Sequence, residues 1–181
     1  LKANGFTPDV IYAHPGWGDG MLIKDIYPES KYIAYMEFYY RAHGADIGFN
    51  PEKPIEMDVI AKTRIRNSTN LINLESADWL ISPTHWQAYL HPSSFYHKYS
   101  VIHEGIDIEL VKRKSAARDL LKKLKIPNDN NIVTYCARNF ETYRGFENAM
   151  YAIEKIAKDR QNTHFLMVGG DEVSYGAPPK G

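Results

Sequence analysis

The chain has 181 residues, in which 22 Lys plus Arg balance 22 Asp plus Glu and hydrophobic residues make up 44%. That balance excludes a nucleic-acid binder held by bulk charge and leaves ample apolar material for a core. Cys136 is the only cysteine, no Cys/His pair has zinc spacing, and no apolar run approaches the ~20 residues of a membrane span, so the expected setting is the reducing cytoplasm.

No signal peptide is visible, but the chain opens at Leu1 without a start methionine and stops at Gly181 in a Pro-Pro-Lys-Gly stretch. Both read as cut ends, so the expectation is a fragment of a longer protein.

Short apolar runs alternate with segments of helical period. DVIYAH (residues 9–14) reads as a buried strand, followed by Gly-rich PGWGDG and a short helical stretch from Met21. YIAYMEFYY (32–40) reads as a second strand. A Pro/Gly-containing loop leads to a helix over 67–77, a third strand WLISPT (79–84) and a short helix over 85–90. YSVIHEG (99–105) is the fourth strand.

A charged connection follows. Ala117, Leu120, Leu121 and Leu124 share a helical face, with Lys112, Arg113, Lys114, Arg118, Lys122, Lys123 and Lys125 opposite. A basic amphipathic helix can bind a membrane surface, but two apolar turns fit a solvated face better. Pro127 and the Asn-Asp-Asn-Asn run end it. IVTYCA (132–137) starts a new unit and places Cys136 as a small core residue. Phe146, Ala149, Met150, Ile153, Ile156 and Ala157 then mark an amphipathic helix, and HFLMVGG (164–170) the next strand. Strand–helix–strand order of this length implies a right-handed parallel crossover. The fold expected is α/β, with portions of two Rossmann-like parallel-sheet domains over residues 1–112 and 113–181.

Ligands gather at the carboxyl ends of such strands. At residues 13–20, Gly16, Gly18 and Gly20 permit close backbone approach, and His14 sits at the strand tip, where an imidazole can donate to a sugar hydroxyl or shuttle a proton. The alternative is a tight turn with Trp17 plugging the core and His14 satisfied by backbone. At residues 137–146, Arg138 with Arg144 and Gly145 precedes a helix, a placement suited to a diphosphate. The alternative is two surface arginines paired with Glu141 or Glu147. At residues 169–176, Gly169 and Gly170 end a strand, and Asp171 and Glu172 are either hydroxyl acceptors or turn residues. His103, in VIHEGID, either faces the ligand edge or is a satisfied hinge residue. Glu37, Tyr39, Tyr40 and Arg41 crowd the second strand's end, where aromatics stack on a sugar or pack on a loop. Nothing resembles a metal cage.

Taken in order, DVIYAHPGWGDG, NLINLESADWLISPT, VIHEGID, VTYCARNFETYRGFENAMYAI and FLMVGGDEVSYG resemble bacterial family 4 glycosyltransferases of the GT-B architecture. VIHEGID is similar to that family's V-I-P-N-G-V-D strand, and ARNFETYRGF to its donor-diphosphate segment. The resemblance implies retaining sugar transfer from a nucleotide-sugar donor to a glycan or glycoconjugate acceptor, with the donor as substrate and neither cofactor nor metal. It implies Arg138, Arg144 and Gly145 at the donor diphosphate, with Arg144 where the family usually has Lys, and His14 near the reacting sugar. Residues 1–112 would be the later part of the acceptor-side domain and residues 113–181 the linker and beginning of the donor-binding domain, with Gly16, Gly18, His103, Gly169, Gly170 and Asp171 lining the same cleft. Cell-surface polysaccharide or other glycoconjugate assembly is the implied context, with room for peripheral association at the inner face of the plasma membrane. The family's pair of glutamates seven residues apart belongs downstream of Gly170 and has no counterpart before Gly181, so little activity is expected of this chain alone. Competing readings are a GT-B-type sugar-nucleotide epimerase or phosphorylase, and a non-catalytic nucleotide-sugar or glycan binding module.

Overall fold

A computed structural model describes residues 2–49, 54–114, 116–127 and 129–175. The chain separates into two compact units, Leu1–Ile106 and Asp107–Gly181. Each is a parallel α/β unit, as expected of portions of Rossmann-like domains.

The first unit carries a four-stranded sheet in sequential order, β1 (Val10–Ala13), β2 (Lys31–Tyr35), β3 (Trp79–Ser82) and β4 (Tyr99–Val101). All three pairings are parallel. Between the strands lie α1 (Ile23–Ile26), α2 (Met57–Arg66), α3 (Ser68–Ser76) and α4 (His85–Leu90). Tyr32, Ala34, Met36, Leu74, Ala77 and Leu80 form the core, joined by Ile11, Ala13 and Tyr99 at its margin. Side chains alternate across the pleat, so the opposite face presents Val10, Tyr12 and Trp79, each about half exposed. Gly20 is required inside this core: a Cβ there would overlap Tyr32 Oη and Asn73 Oδ1, which are hydrogen-bonded to each other.

The second and fourth strands are shorter than expected, for one physical reason. β1 runs into Pro15 and β3 into Pro83, and neither proline has an N–H to continue a ladder. The last ladder bonds are Met36 N to Ile81 O at 2.7 Å and Ile102 N to Ser82 O at 2.9 Å. Residues 36–40 stay ordered because side chains take over from the ladder. Ser82 Oγ donates to Met36 O, Asn70 Nδ2 to Phe38 O, and Asn67 both accepts from Tyr40 N and donates to Tyr40 O.

α2 is a helix that apolar periodicity does not reveal. Its buried residue is Thr63, followed one turn on by buried Asn67, while Met57 and Ile65 point outward at 74% and 70% exposure. A polar inward face gives no hydrophobic signal.

The second unit pairs β5 (Asn131–Asn139) with β6 (Thr163–Gly170) in parallel, after α5 (Ala117–Lys123) and around α6 (Phe146–Asp159). Tyr135 packs on Phe140 and Phe146, which ties β5 to α6. Cys136 is exposed, not a core residue, because it falls on the β5 face turned away from Tyr135 and α6, together with exposed Thr134. On α5, Leu120 and Leu124 are about half exposed, so its apolar stripe remains accessible. Among the described residues no helix is long and apolar enough to cross a membrane.

Candidate active site

The proline-terminated edge of the first sheet releases its side chains just where β1 and β2 end. His14 follows β1 and caps the 3-10 turn Pro15–Trp17, with Nδ1 accepting from Gly16 N at 3.1 Å. An accepting Nδ1 puts the ring hydrogen on Nε2, which donates to Glu37 Oε2 at 2.9 Å. Both ring nitrogens are therefore engaged. His14 holds a carboxylate in place and is not an open base at Nε2. Gly16 makes room for this: a Cβ there would sit 2.7 Å from His14 Cε1. Gly18 ends the turn with φ +85°, a left-handed conformation, and donates to Pro15 O.

Trp17 does not plug the core. It is 81% exposed and stacks on His14 with ring centroids 6.1 Å apart. His14 also meets Tyr35 at 5.6 Å, and Tyr35 meets Tyr12 at 6.0 Å. The Tyr35 hydroxyl donates to Glu104 Oε1, so the β4 exit joins the same cluster. Burial, the Glu104 hydrogen bond and the charges of Glu104 and Glu37 all push the Tyr35 phenol up, which keeps it a neutral donor. Glu37 was legible as a crowded strand-end residue, but its pairing with His14 was not.

The neighbours of Glu37 have structural duties. Tyr39 packs against the core and His91. Tyr40 lies under the Arg66 guanidinium. Arg41 donates to Tyr89 O and Leu90 O, satisfying the C-terminal carbonyls of α4. His103 is exposed, and its Nδ1 accepts from Gly105 N at 2.9 Å. Adjacent Glu104, rather than His103, links to the Tyr35–His14 group.

In the second unit, Arg138 lies inside β5, at an irregularity where three steps along β5 (Cys136 to Asn139) face two along β6 (Val168 to Gly170). Such a bulge redirects side chains at a strand end, and Arg138 is exposed there. Gly169 and Gly170 accommodate it. A Cβ on Gly169 would overlap Ala137 O and approach Phe140 Cε1 to 2.8 Å, and one on Gly170 would reach Asn139 Oδ1 at 2.6 Å. Asp171 occupies an exposed bend.

Arg144 is held by other groups. Its Nε lies 3.7 Å from Glu141 Oε1, and its guanidinium sits 5.3 Å from the Tyr175 ring centroid. Buried Glu141 accepts from Ser174 N and Tyr175 N through Oε2, at 2.8 and 3.1 Å, while Oε1 has no hydrogen-bond partner. Gly145, at φ +71°, is the N-cap of α6 and as a glycine contributes no side-chain cap. Arg144 paired with Glu141 matches the surface-pair alternative for that residue, whereas Arg138 makes no ion pair among the described residues.

Residues 1–111 match the glycosyl transferase family 4 group. The chain belongs to that family. The match contains the whole four-stranded sheet with its His14–Glu37 edge and stops before α5. No curated protein matches the chain. In a glycosyltransferase family 4 domain, a fixed carboxylate with an exposed indole beside it has the donors, acceptors and flat apolar surface that a sugar ring requires. Among the described residues, no group of three His, Cys, Asp or Glu is arranged to hold a metal ion.

Proposed function

We propose that the protein is a retaining glycosyltransferase of the GT-B type, moving a sugar from a nucleotide-sugar donor to a glycan or glycoconjugate acceptor. The family match over residues 1–111 carries the reading, because it covers the sheet whose open edge presents His14 and Glu37. In this reading the transfer needs no cofactor beyond the donor itself.

The division of labour follows from the geometry of each unit. In the first, His14 aims Glu37, and the unshared carboxylate oxygen Oε1 accepts a hydrogen bond from a sugar hydroxyl. In the second, exposed Arg138, just ahead of the N-terminus of α6 at Gly145, offers donors to a diphosphate. Arg144 adds positive charge beside them, held in one orientation by Glu141 and Tyr175. As the new bond from acceptor oxygen to the anomeric carbon forms, the bond to the diphosphate breaks and the acceptor proton leaves with the diphosphate. Negative charge develops on that leaving group, where fixed cationic donors have most effect on rate.

Calorimetric titration of the protein with UDP-, GDP-, dTDP- and ADP-sugars tests the donor assignment. One of them is expected to bind, and Arg138→Ala to weaken that binding about tenfold, the loss of one charge-assisted contact. Unchanged affinity in Arg138→Ala removes this residue from the donor site.

A further inference from the structure

The loop that follows β6 is fastened to the end of β5 by side chains. Asn139 Nδ2 donates to Ser174 Oγ at 2.5 Å, and Glu141 Oε2 accepts from Ser174 N at 2.8 Å and from Tyr175 N at 3.1 Å. The carboxylate is thus held in one direction by backbone. Its other oxygen, Oε1, is sealed from solvent without a hydrogen-bond partner, and the cation facing it is Arg144, whose Nε lies 3.7 Å away. A buried carboxylate is costly without such a cation.

The pair is lopsided. The Glu141 side chain is 5% exposed and that of Arg144 is 40% exposed, with the guanidinium lying over Tyr175. Glu141 meets the guanidinium on its Nε side, which leaves the two Nη groups without an ion pair among the described residues. The carboxylate is the fixed support and the Nη fork the presented part, directly ahead of Gly145, the N-cap of α6.

We infer that Glu141 is a positioning residue of the donor site, which acts through Arg144 by aiming its Nη fork at the diphosphate. The inference rests on the transferase reading and adds to it the residue that gives Arg144 its direction.

The test titrates inorganic pyrophosphate, UDP, GDP, dTDP and ADP calorimetrically into the whole protein and into its Glu141→Gln, Arg144→Ala and doubly substituted variants. Glutamine keeps an oxygen for Ser174 N and Tyr175 N but turns an amide nitrogen toward Arg144, so the loop keeps its acceptor while the guanidinium loses its aim. Glu141→Gln is expected to weaken diphosphate binding at least about fivefold when Arg144 is present and less than about twofold when it is alanine, as for two residues acting as one. Equal weakening in both backgrounds would make Glu141 a structural residue only and overturn the inference. Unchanged affinity in Glu141→Gln or in Arg144→Ala would overturn it too. Pyrophosphate keeps the two readings apart. Coupling seen with pyrophosphate while no nucleotide binds supports the Glu141–Arg144 unit and strikes the nucleotide-sugar donor. Nucleotide binding without coupling defeats the inference alone, and absence of binding by every anion defeats both.

Discussion

His14 Nε2 lies 2.9 Å from Glu37 Oε2, joining the residue after β1 to a residue beyond the end of β2. Because Nδ1 is also engaged, this contact fixes the direction of the carboxylate as much as that of the ring. His14→Ala should therefore lower the turnover number about 100-fold through misplacement of Glu37, with little change in donor affinity. Steady-state kinetics of the whole protein, with donor and acceptor varied separately, would check it. A His14→Ala enzyme with normal turnover would remove the pair from the reaction.

Two glycines four residues apart in the same loop, Gly16 and Gly20, should respond in opposite ways to an added methyl group. At Gly16 the methyl meets the edge of the His14 imidazole, a side chain that can swing aside. Gly16→Ala is expected to keep the thermal midpoint and lose activity to the same degree as His14→Ala. At Gly20 the methyl meets Tyr32 and Asn73 in the core, where nothing can yield. Gly20→Ala should cost about 2 kcal/mol or more of stability, as overpacking does. Paired denaturation and activity measurements on the two variants separate these effects.

Glu141 ties the loop after β6 to the loop after β5 through Ser174 N and Tyr175 N. Glu141→Ala removes both acceptor bonds and releases Arg144 from its position over Tyr175. Hydrogen exchange at the amides of Ser174 and Tyr175 should accelerate by a factor of about ten or more, since bonds to a charged acceptor are worth about 1.5–3 kcal/mol. Unchanged exchange would show that the loop is held by other contacts.

His91 gives the first unit a defined sensitivity to acid. It is fully buried between Tyr39 and Tyr99, with Nδ1 donating to Gln87 O and Ala88 O and Nε2 without a partner. Burial, assisted by the Arg41 charge and opposed by the two carbonyls, lowers its pKa from 6.5 to about 4. The folded state thus binds fewer protons than the unfolded one. This contribution to stability is complete above about pH 6.5 and is lost as pH falls toward 4, by roughly 3 kcal/mol in total. Urea unfolding at pH 7 and pH 4.5 should show most of that loss, and His91→Gln should flatten it.

The sequence carried the strand order because parallel strands here are short apolar runs, and α6 because its inward positions recur at helical spacing. It did not carry α2, whose inward face is polar, or the early ends of β2 and β4. Those ends are set by prolines that follow the neighbouring strands, a relation visible only once the register is known. At the site, His14 and Gly16 could be singled out from a glycine-rich turn after a strand. The pairing with Glu37 and the link from Tyr35 to Glu104 are long-range contacts that no local pattern encodes. The irregularity at Arg138 escaped for the same reason, since it exists only relative to β6.

Proton NMR of a reaction containing the whole protein, the nucleotide-sugar it binds and a neutral oligosaccharide tests sugar transfer with retention most directly. An α-configured donor should give a new α-glycosidic anomeric signal, stoichiometric release of the nucleoside diphosphate, and a rate at least about tenfold lower in Glu37→Gln. A β-configured product, or release of the diphosphate with no new glycosidic bond, would contradict the account.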